Sequence, residues 1–323
     1  MASILTLTLN PALDVSAQIP VVVPENKLRL REMREEPGGG GINVARAIHQ
    51  LGGRARAMFP AGGAQGERIV ELLAAAKVPC AALPIAGDTR ESLTVSETQS
   101  TRQYRFVMPG PLLAESEWQA CLETLRKLEP APEILVFSGS LPPGVPDDFA
   151  AQVARIGGEL GCRVLIDTSR DALGHAVDAG AYLLKPNLPE FLALIDEEAH
   201  TDESLINGAR ALLDRSSTHA IVVSLGGAGA LLVTGQLAVR FASPVVPIRS
   251  RVGAGDSMVA GIALALARGE SLEAATRFGV AAGAAAVMTP GSELCRQSDA
   301  ELLFDQIQRQ PAAVLASDSS SPA

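Results

Sequence analysis

Aromatic residues are scarce in this chain of 323 residues: they make up 3% of it, with one tryptophan and two tyrosines. A core built on aromatics is excluded. The 47% apolar fraction is carried by Ala, Leu and Val instead, which suits helices packed on a buried parallel sheet better than an all-β core. Cysteine is sparse too, since Cys80, Cys121, Cys162 and Cys295 stand far apart without CxxC or zinc spacing. No disulfide framework is implied, and the thiols fit a reducing compartment. No run of about 18 apolar residues occurs, so no membrane-spanning helix is expected. The first residues lack the basic region and long apolar core of a signal segment, so a cytoplasmic location is expected. Positive charge is not in excess. With 27 Lys and Arg against 36 Asp and Glu the net charge is −9, and no basic block is present, which argues against nucleic acid and anionic membrane as partners. His49, His175, His200 and His219 sit at no ligand spacing, so metal hydrolase and Ser-His-Asp chemistry have little support.

Against these absences one stretch stands out, Arg251 to Gly261, RVGAGDSMVAG. A Gly-Ala-Gly turn, Gly253 to Gly255, precedes Asp256, and Val259, Ile262, Ala263 and Leu266 follow at helical spacing. The turn opens a helix, whose first amides are unpaired and lie at the positive end of the dipole. An aspartate inside such an anion nest would repel a bound phosphate. It is well placed to take a proton from a hydroxyl that attacks phosphorus, while the nest stabilises the transferring group. Read alone, GAGD fits a capping Asp after a tight turn better. The rest of the chain changes that balance.

Ile4 to Leu9 alternate as a strand that ends at Asn10-Pro11. Asp14 follows, either as a ligand contact beyond the strand end or as a turn former. Two stretches, about 15-36 and 88-108, are extended segments without helical period, and Arg90, Arg102 and Arg105 accompany the second. They are expected to pair as a small sheet covering the site, with one face in need of cover and therefore a homodimer through this lid. Four glycines, Gly38 to Gly41, run into Val44, Ala47, Ile48 and Leu51 at helical spacing. Ordering them costs entropy, so the run is either backbone laid against a ligand or a hinge. The Asn43 amide behind it can donate and accept at once, as sugar hydroxyls require. Ile69, Leu72, Leu73 and Ala76 mark a further helix. From about residue 130 apolar runs at Ile134 to Phe137, Arg163 to Ile166, Ala181 to Leu184 and Ala220 to Ser224 alternate with amphipathic segments, the pattern of a parallel sheet covered on both faces. Polar or glycine-rich groups follow the first, third and fourth of these runs, where doubly wound folds bind ligands.

Taken together, TLNPALD, PGGGGINVAR, SGSLPPGV, KPNLPE, SLGGAGAL and VGAGDSMVAG resemble, in that order and over nearly the whole chain, the ribokinase-like (PfkB) carbohydrate kinase family. The resemblance implies a ribokinase-like three-layer α/β/α sandwich with a mainly parallel central sheet plus a small β-sheet lid. It implies one kinase domain over 1-310, with the lid strands inserted at about 15-36 and 88-108, and a disordered tail over 311-323. Within the family the chain is most similar to the minor-type bacterial 6-phosphofructokinase branch, through the unbroken glycine tetrad and QYRFVMPG, Gln103 to Gly110. That implies ATP-dependent phosphorylation of fructose 6-phosphate at its C1 hydroxyl. The 1-phosphofructokinase and tagatose-6-phosphate kinase branches share most of the rest, the former commonly with a lysine where Gly40 stands. A non-catalytic sugar-phosphate-binding regulator is the alternative of a different class, against which Asp256 argues. A dinucleotide-dependent oxidoreductase fails because no GxGxxG follows the first strand.

The resemblance also implies roles. Asp256 is the general base, with the amides of Gly253, Ala254 and Gly255 as the anion hole. Asp14, Gly39, Gly40 and Asn43 hold sugar hydroxyls. Arg90, with Lys27 reaching in from a partner subunit, pairs with the 6-phosphate, and Ser140 assists. Lys185, Asn187, Ser224, Gly226 and Gly229 hold ATP. Asn187 and Glu190 act on Mg²⁺ through its waters. Backbone near Ser250, Val252 and Gly291 matches a monovalent cation site, K⁺ in many relatives. The chain departs from the family pattern at Ser250 and Arg251, where an acidic or hydroxyl residue and then Thr or Ser are usual, and at Thr289 and Glu293. A guanidinium at position 251 implies a muted potassium effect.

Overall fold

Alternation along the strands and helical spacing between them build two sheets in the computed structural model, which describes residues 3–100, 102–169, 171–196, 201–309 and 313–315. The first half runs β1 (Ile4–Leu7), β2 (Ala12–Ile19), β3 (Arg31–Gly38), α1 (Gly40–Gln50), β4 (Arg56–Ala61), α2 (Gly63–Ala75), β5 (Cys80–Pro84), β6 (Arg90–Glu97), β7 (Gln103–Val107) and α3 (Glu115–Arg126). The second runs β8 (Ile134–Ser138), α4 (Phe149–Glu159), β9 (Arg163–Asp167), α5 (Asp171–Asp178), β10 (Leu183–Leu184), α6 (Leu188–Ile195), α7 (Asp202–Asp214), β11 (Ala220–Ser224), β12 (Ala230–Thr234), β13 (Ala238–Phe241), α8 (Ala254–Ala267), α9 (Leu272–Val287), α10 (Gln297–Gln308) and β14 (Ala313–Val314).

The larger sheet has ten strands in the order β14-β13-β12-β11-β10-β9-β8-β1-β4-β5. From β5 to β11 every pairing is parallel, and β12, β13 and β14 close the far edge antiparallel. Period-two alternation sends side chains to both faces. Ile134, Val136, Val222 and Leu232 join one core with α1, α2, α8, α9 and α10. Leu135, Phe137, Val223 and Leu231 join the other with α3 to α7. This is the three-layer α/β/α sandwich. The expected structureless tail is corrected in one place: Ala313–Val314 pair with β13 as an added edge strand, because the rim of β13 offers unpaired backbone groups. Of that tail, 311–312 and 316–323 lie outside the described residues.

Helix α8 is buried on every side from Ser257 to Ala267. Its packing against α9 is close because Gly261 and Gly279 meet, so that a Cβ on Gly261 would lie 2.9 Å from Gly279 Cα. The helix that opens with GAGD is thus held deep in the core and aims its N-terminus at the end of the sheet.

The smaller sheet has the order β3-β2-β6-β7. β2 pairs with β3 antiparallel and with β6 parallel, and β6 pairs with β7 antiparallel. Ala12 stands opposite Arg90 and Asp14 opposite Ser92, and Arg105 stands opposite Thr94. The alternation therefore puts Asp14, Arg90, Ser92, Thr94 and Arg105 on one face of the lid. No helix among the described residues is long and apolar enough to cross a membrane.

Candidate active site

Two cavities meet at the start of α8. Gly253 caps the helix in the left-handed region, φ 73°, with no side-chain cap, which leaves the first-turn amides of Ala254, Gly255 and Asp256 pointing outward. A cavity of about 230 Å³ takes Gly253 and Asp256 in its wall together with Asp14, Gly39, Asn43, Arg90, Ser92, Arg105 and Gly291. A second, of about 480 Å³, takes Ala254 and Gly255 together with Ser224, Gly226, Gly229, Met258 and residues of α9. Arg251 lines both. One helix N-terminus thus serves as the party wall between two pockets, and an anion crossing from one to the other must pass its amides.

The lid supplies the charge of the smaller cavity. Arg90 donates from Nη1 to the Met108 carbonyl at 3.1 Å and from Nη2 to that of Asn10 at 3.0 Å, while its buried Nε has no partner. A buried guanidinium donor without an acceptor invites an anion. Desolvation lowers the Arg90 pKa, and Asp14 counteracts this. Burial pushes Asp14 up to about 6 against the pull of Arg90, Arg46 and Arg105. Ser140 lies outside this cavity: it accepts from Asn10 Nδ2 at 3.2 Å and lines a neighbouring space of about 620 Å³ that Arg90 shares. Lys27 is exposed on the β2–β3 connection and borders none of these spaces.

Asp256 is raised to about 6, first by burial and then by Asp167, with Asp14 adding to it. Two groups hold it down, the Asn43 amide, which donates to Oδ2 at 2.9 Å, and the Lys185 ammonium. Lys185 is nearly fully buried and pairs with Asp167 Oδ1 at 3.1 Å. It lies beneath Gly255 rather than in the wall of the larger cavity. Asn43 in turn accepts from Arg46 Nη1 at 3.2 Å.

The glycine tetrad is packed against protein. A Cβ on Gly38 would overlap the Asp14 carboxyl, one on Gly40 the Ser138 hydroxyl, and one on Gly41 would lie 2.6 Å from the Leu7 carbonyl. Gly39, at φ 110°, is the member that faces the cavity. The tetrad is neither hinge nor, at Gly40, a cavity wall; it lets α1 start flush against β1, β8 and the lid.

Near the larger cavity Asn187 and Glu190 cap α6 for each other, Asn187 Oδ1 accepting from Glu190 N at 2.9 Å and Glu190 Oε2 from Asn187 N at 2.8 Å. Burial raises the Glu190 pKa, and Asp167 raises it further. One carboxylate oxygen is left over, which fits a water-clad Mg²⁺ carried by a nucleotide and not an all-protein cage. Among the described residues no cluster of three or more His, Cys, Asp or Glu could hold a metal. Around the expected monovalent site, Ser250 Oγ accepts from Val252 N at 3.2 Å. The Thr289 hydroxyl lies 2.8 Å from the carbonyls of both Ala286 and Leu294. Glu293 turns to Arg296 and Arg34. No backbone donor among the described residues reaches the carbonyls of Ser250, Val252 or Gly291, a donor set that fits a weakly hydrated cation.

The model of the pfkB family of carbohydrate kinases matches residues 8–299. The chain belongs to that family. This carbohydrate kinase is 45% identical over 302 residues to the ATP-dependent 6-phosphofructokinase isozyme 2 of Mycobacterium tuberculosis, covering 94% of this chain and 89% of that protein. Its fold matches phosphofructokinase-2 from Escherichia coli in complex with potassium, at a TM-score of 0.91 and 44% identity, covering 96% of this chain and 100% of that one. The same protein in complex with fructose-6-phosphate matches at 0.89 and 42%, with the same coverage. A 1-phosphofructokinase of Bacillus subtilis matches at 32% over 87% of the kinase and 91% of its own length. Sequence reasoning did not single out Asp167, which is the counter-ion of Lys185, or Ser92. It assigned Arg105 no role, and only the lid pairing brings that residue to Asp14.

Proposed function

We propose that this kinase transfers the γ-phosphoryl group of ATP to the C1 hydroxyl of fructose 6-phosphate, giving fructose 1,6-bisphosphate and ADP. The observation that carries the reading is the α8 N-terminus shared by two cavities, with Asp256 facing the one ringed by lid arginines. The greater likeness to 6-phosphofructokinases than to the 1-phosphofructokinase supports the choice of sugar.

Fructose 6-phosphate sits in the smaller cavity with its phosphate toward Arg90 and Arg105 and its ring hydroxyls toward Asp14 and Gly39. Ionised Asp256 takes the proton from the C1 hydroxyl as that oxygen attacks the γ-phosphorus and the bond to the β,γ-bridging oxygen breaks. The free amides of Gly253, Ala254 and Gly255 stabilise the charge on the transferring group. ATP lies along Ser224, Gly226 and Gly229, with its base against the apolar face of α9. Lys185 neutralises charge beneath the nest. Asn187 and Glu190 would hold, through water, the Mg²⁺ that accompanies ATP, which would supply charge neutralisation at the phosphates, and the carbonyls of Ser250, Val252 and Gly291 would take a monovalent cation. The kinase domain spans 1-310. Val21, Val23, Leu28, Met33 and Phe106 are exposed on the lid, an apolar face that suits a homodimer, which would bring Lys27 to the neighbouring site. Lid closure excludes water.

A coupled assay of ADP release with MgATP and, in parallel, fructose 6-phosphate, fructose 1-phosphate, tagatose 6-phosphate and fructose tests the reading. Preference for fructose 6-phosphate is expected. Preference for another phosphosugar keeps the mechanism and discards the glycine tetrad as a branch marker, whereas no turnover leaves a sugar-phosphate-binding regulator.

A further inference from the structure

Behind the base runs a chain of polar contacts whose far members, Arg46 and Glu36, line neither cavity. Asp256 Oδ2 accepts from Asn43 Nδ2, Asn43 Oδ1 accepts from Arg46 Nη1, and Arg46 Nη2 donates to Glu36 Oε1 at 2.8 Å. Arg46 Nη1 also donates to the Pro37 carbonyl at 2.9 Å. The other Glu36 oxygen accepts from the Ser292 hydroxyl. Asn43 and Arg46 stand three apart on α1 and so share one face of the helix. Glu36 belongs to lid strand β3, and Ser292 to the loop beside Gly291. Arg46 is buried, with a side-chain exposure of 9%, and its ion pair with Glu36 is the sole one it makes among the described residues. Neither Arg46 nor Glu36 lines either cavity, so both act through neighbours that do: Asn43 by hydrogen bond from Arg46 and Asp14 by charge, with opposite signs.

We infer that Arg46 is a positioning residue that, held by Glu36 of the lid, locks the Asn43 amide so that its NH₂ group faces the catalytic base. An amide side chain has two nearly equivalent orientations about its last torsion. Arginine offers donors only, so the end of Asn43 toward Arg46 must be its carbonyl oxygen, and the end toward Asp256 must be its nitrogen. A flipped amide would set oxygen against carboxylate. The lock engages Oδ2 of Asp256 and leaves Oδ1 for the proton of the substrate hydroxyl. It also ties the base to the root of the lid and to the Ser292 loop, so that lid position reaches the base through three side chains. The inference rests on the proposed phosphoryl transfer for its catalytic consequence, not for the lock itself.

The test uses the full chain with Arg46→Met, Glu36→Gln and the double variant, which leaves neither buried charge unpaired, and Arg46→Lys as the conservative rescue. The first readout needs no substrate: the Asp256 carboxyl titration followed by ¹³C NMR, assigned by its loss in Asp256→Asn. Facing Asp256 are also Asp167, Lys185 and Asp14; Arg46 and Glu36 act on Asp14 with opposite signs, so in the double variant, where both charges go, loss of the Asn43 donor must shift the titration to higher pH. The second readout is kcat against pH, whose acidic limb moves the same way while kcat falls roughly tenfold to a hundredfold and KM for ATP stays put. A folded double variant with the wild-type Asp256 titration overturns the lock, as does a fall in kcat with the limb unmoved. A shifted titration in a protein that phosphorylates no sugar keeps the lock and removes the kinase reading instead.

Discussion

Replacing Asp256 by Asn separates what the carboxylate does for catalysis from what it does to the fold. Burial, Asp167 and Asp14 together raise Asp256 from 3.8 to about 6. At ~1.4 kcal/mol per pH unit, holding it ionised costs the folded state about 3 kcal/mol at neutral pH. The folded pKa lies above the unfolded one, so the native state binds the extra proton between about pH 4 and 6. Stability from this group is therefore lost as pH rises through that window. Asparagine keeps an oxygen for the Asn43 amide and removes the charge. Asp256→Asn should accordingly be the more stable protein above about pH 7, with a melting temperature higher by several degrees. The gain should vanish near about pH 4, where both versions are neutral at this position. Over the same substitution kcat should fall by a factor on the order of 10² to 10⁴, the usual worth of a general base, with sugar-phosphate binding largely kept. Thermal melts by calorimetry at the two pH values and steady-state kinetics check it. An unchanged kcat removes Asp256 from the mechanism, and a stability gain that is equal at both pH values refutes the electrostatic account.

Arg90→Ala removes the donor set that faces the smaller cavity, and should raise KM for fructose 6-phosphate roughly tenfold to a hundredfold while sparing kcat; unchanged affinity means that Arg90 is not the phosphate anchor. Arg251 puts a fixed cation in the wall of both cavities, so potassium should alter kcat little in the wild type and more in Arg251→Thr. Strong stimulation of the wild type counts against that. Gly229, at φ 94°, has no room for a side chain, because a Cβ would overlap the Phe241 carbonyl. Gly229→Ala should therefore displace the loop after β11 and raise KM for ATP, with little effect on KM for the sugar; equal changes in both would place the loop elsewhere in the mechanism.

How far the sequence discloses such a site depends on the range of the contacts. The βα alternation and the GAGD helix start are local patterns, and local patterns survive the move from string to fold. The lid is half local. Period two puts Arg90, Ser92 and Thr94 on one face of β6 whatever strand lies beside it, so Ser92 carried a readable signal next to Arg90. What alternation cannot give is register: only the pairing of Asp14 with Ser92 and Thr94 with Arg105 turns that face toward the cavity, and a slip of one residue would turn it away. The contact of Asn43 with Asp256 spans 213 residues and leaves no periodic trace at all. Arg46 reads as an interruption of the apolar face of α1, and Glu36 as one acid in a run of charge. NxxE shows the converse hazard, because its local reading as a capping box is what the fold makes of it. Under the proposed role Glu190 has one oxygen free for a water-clad Mg²⁺, and that carboxyl is itself tuned by Asp167, which raises its pKa and which no motif announced.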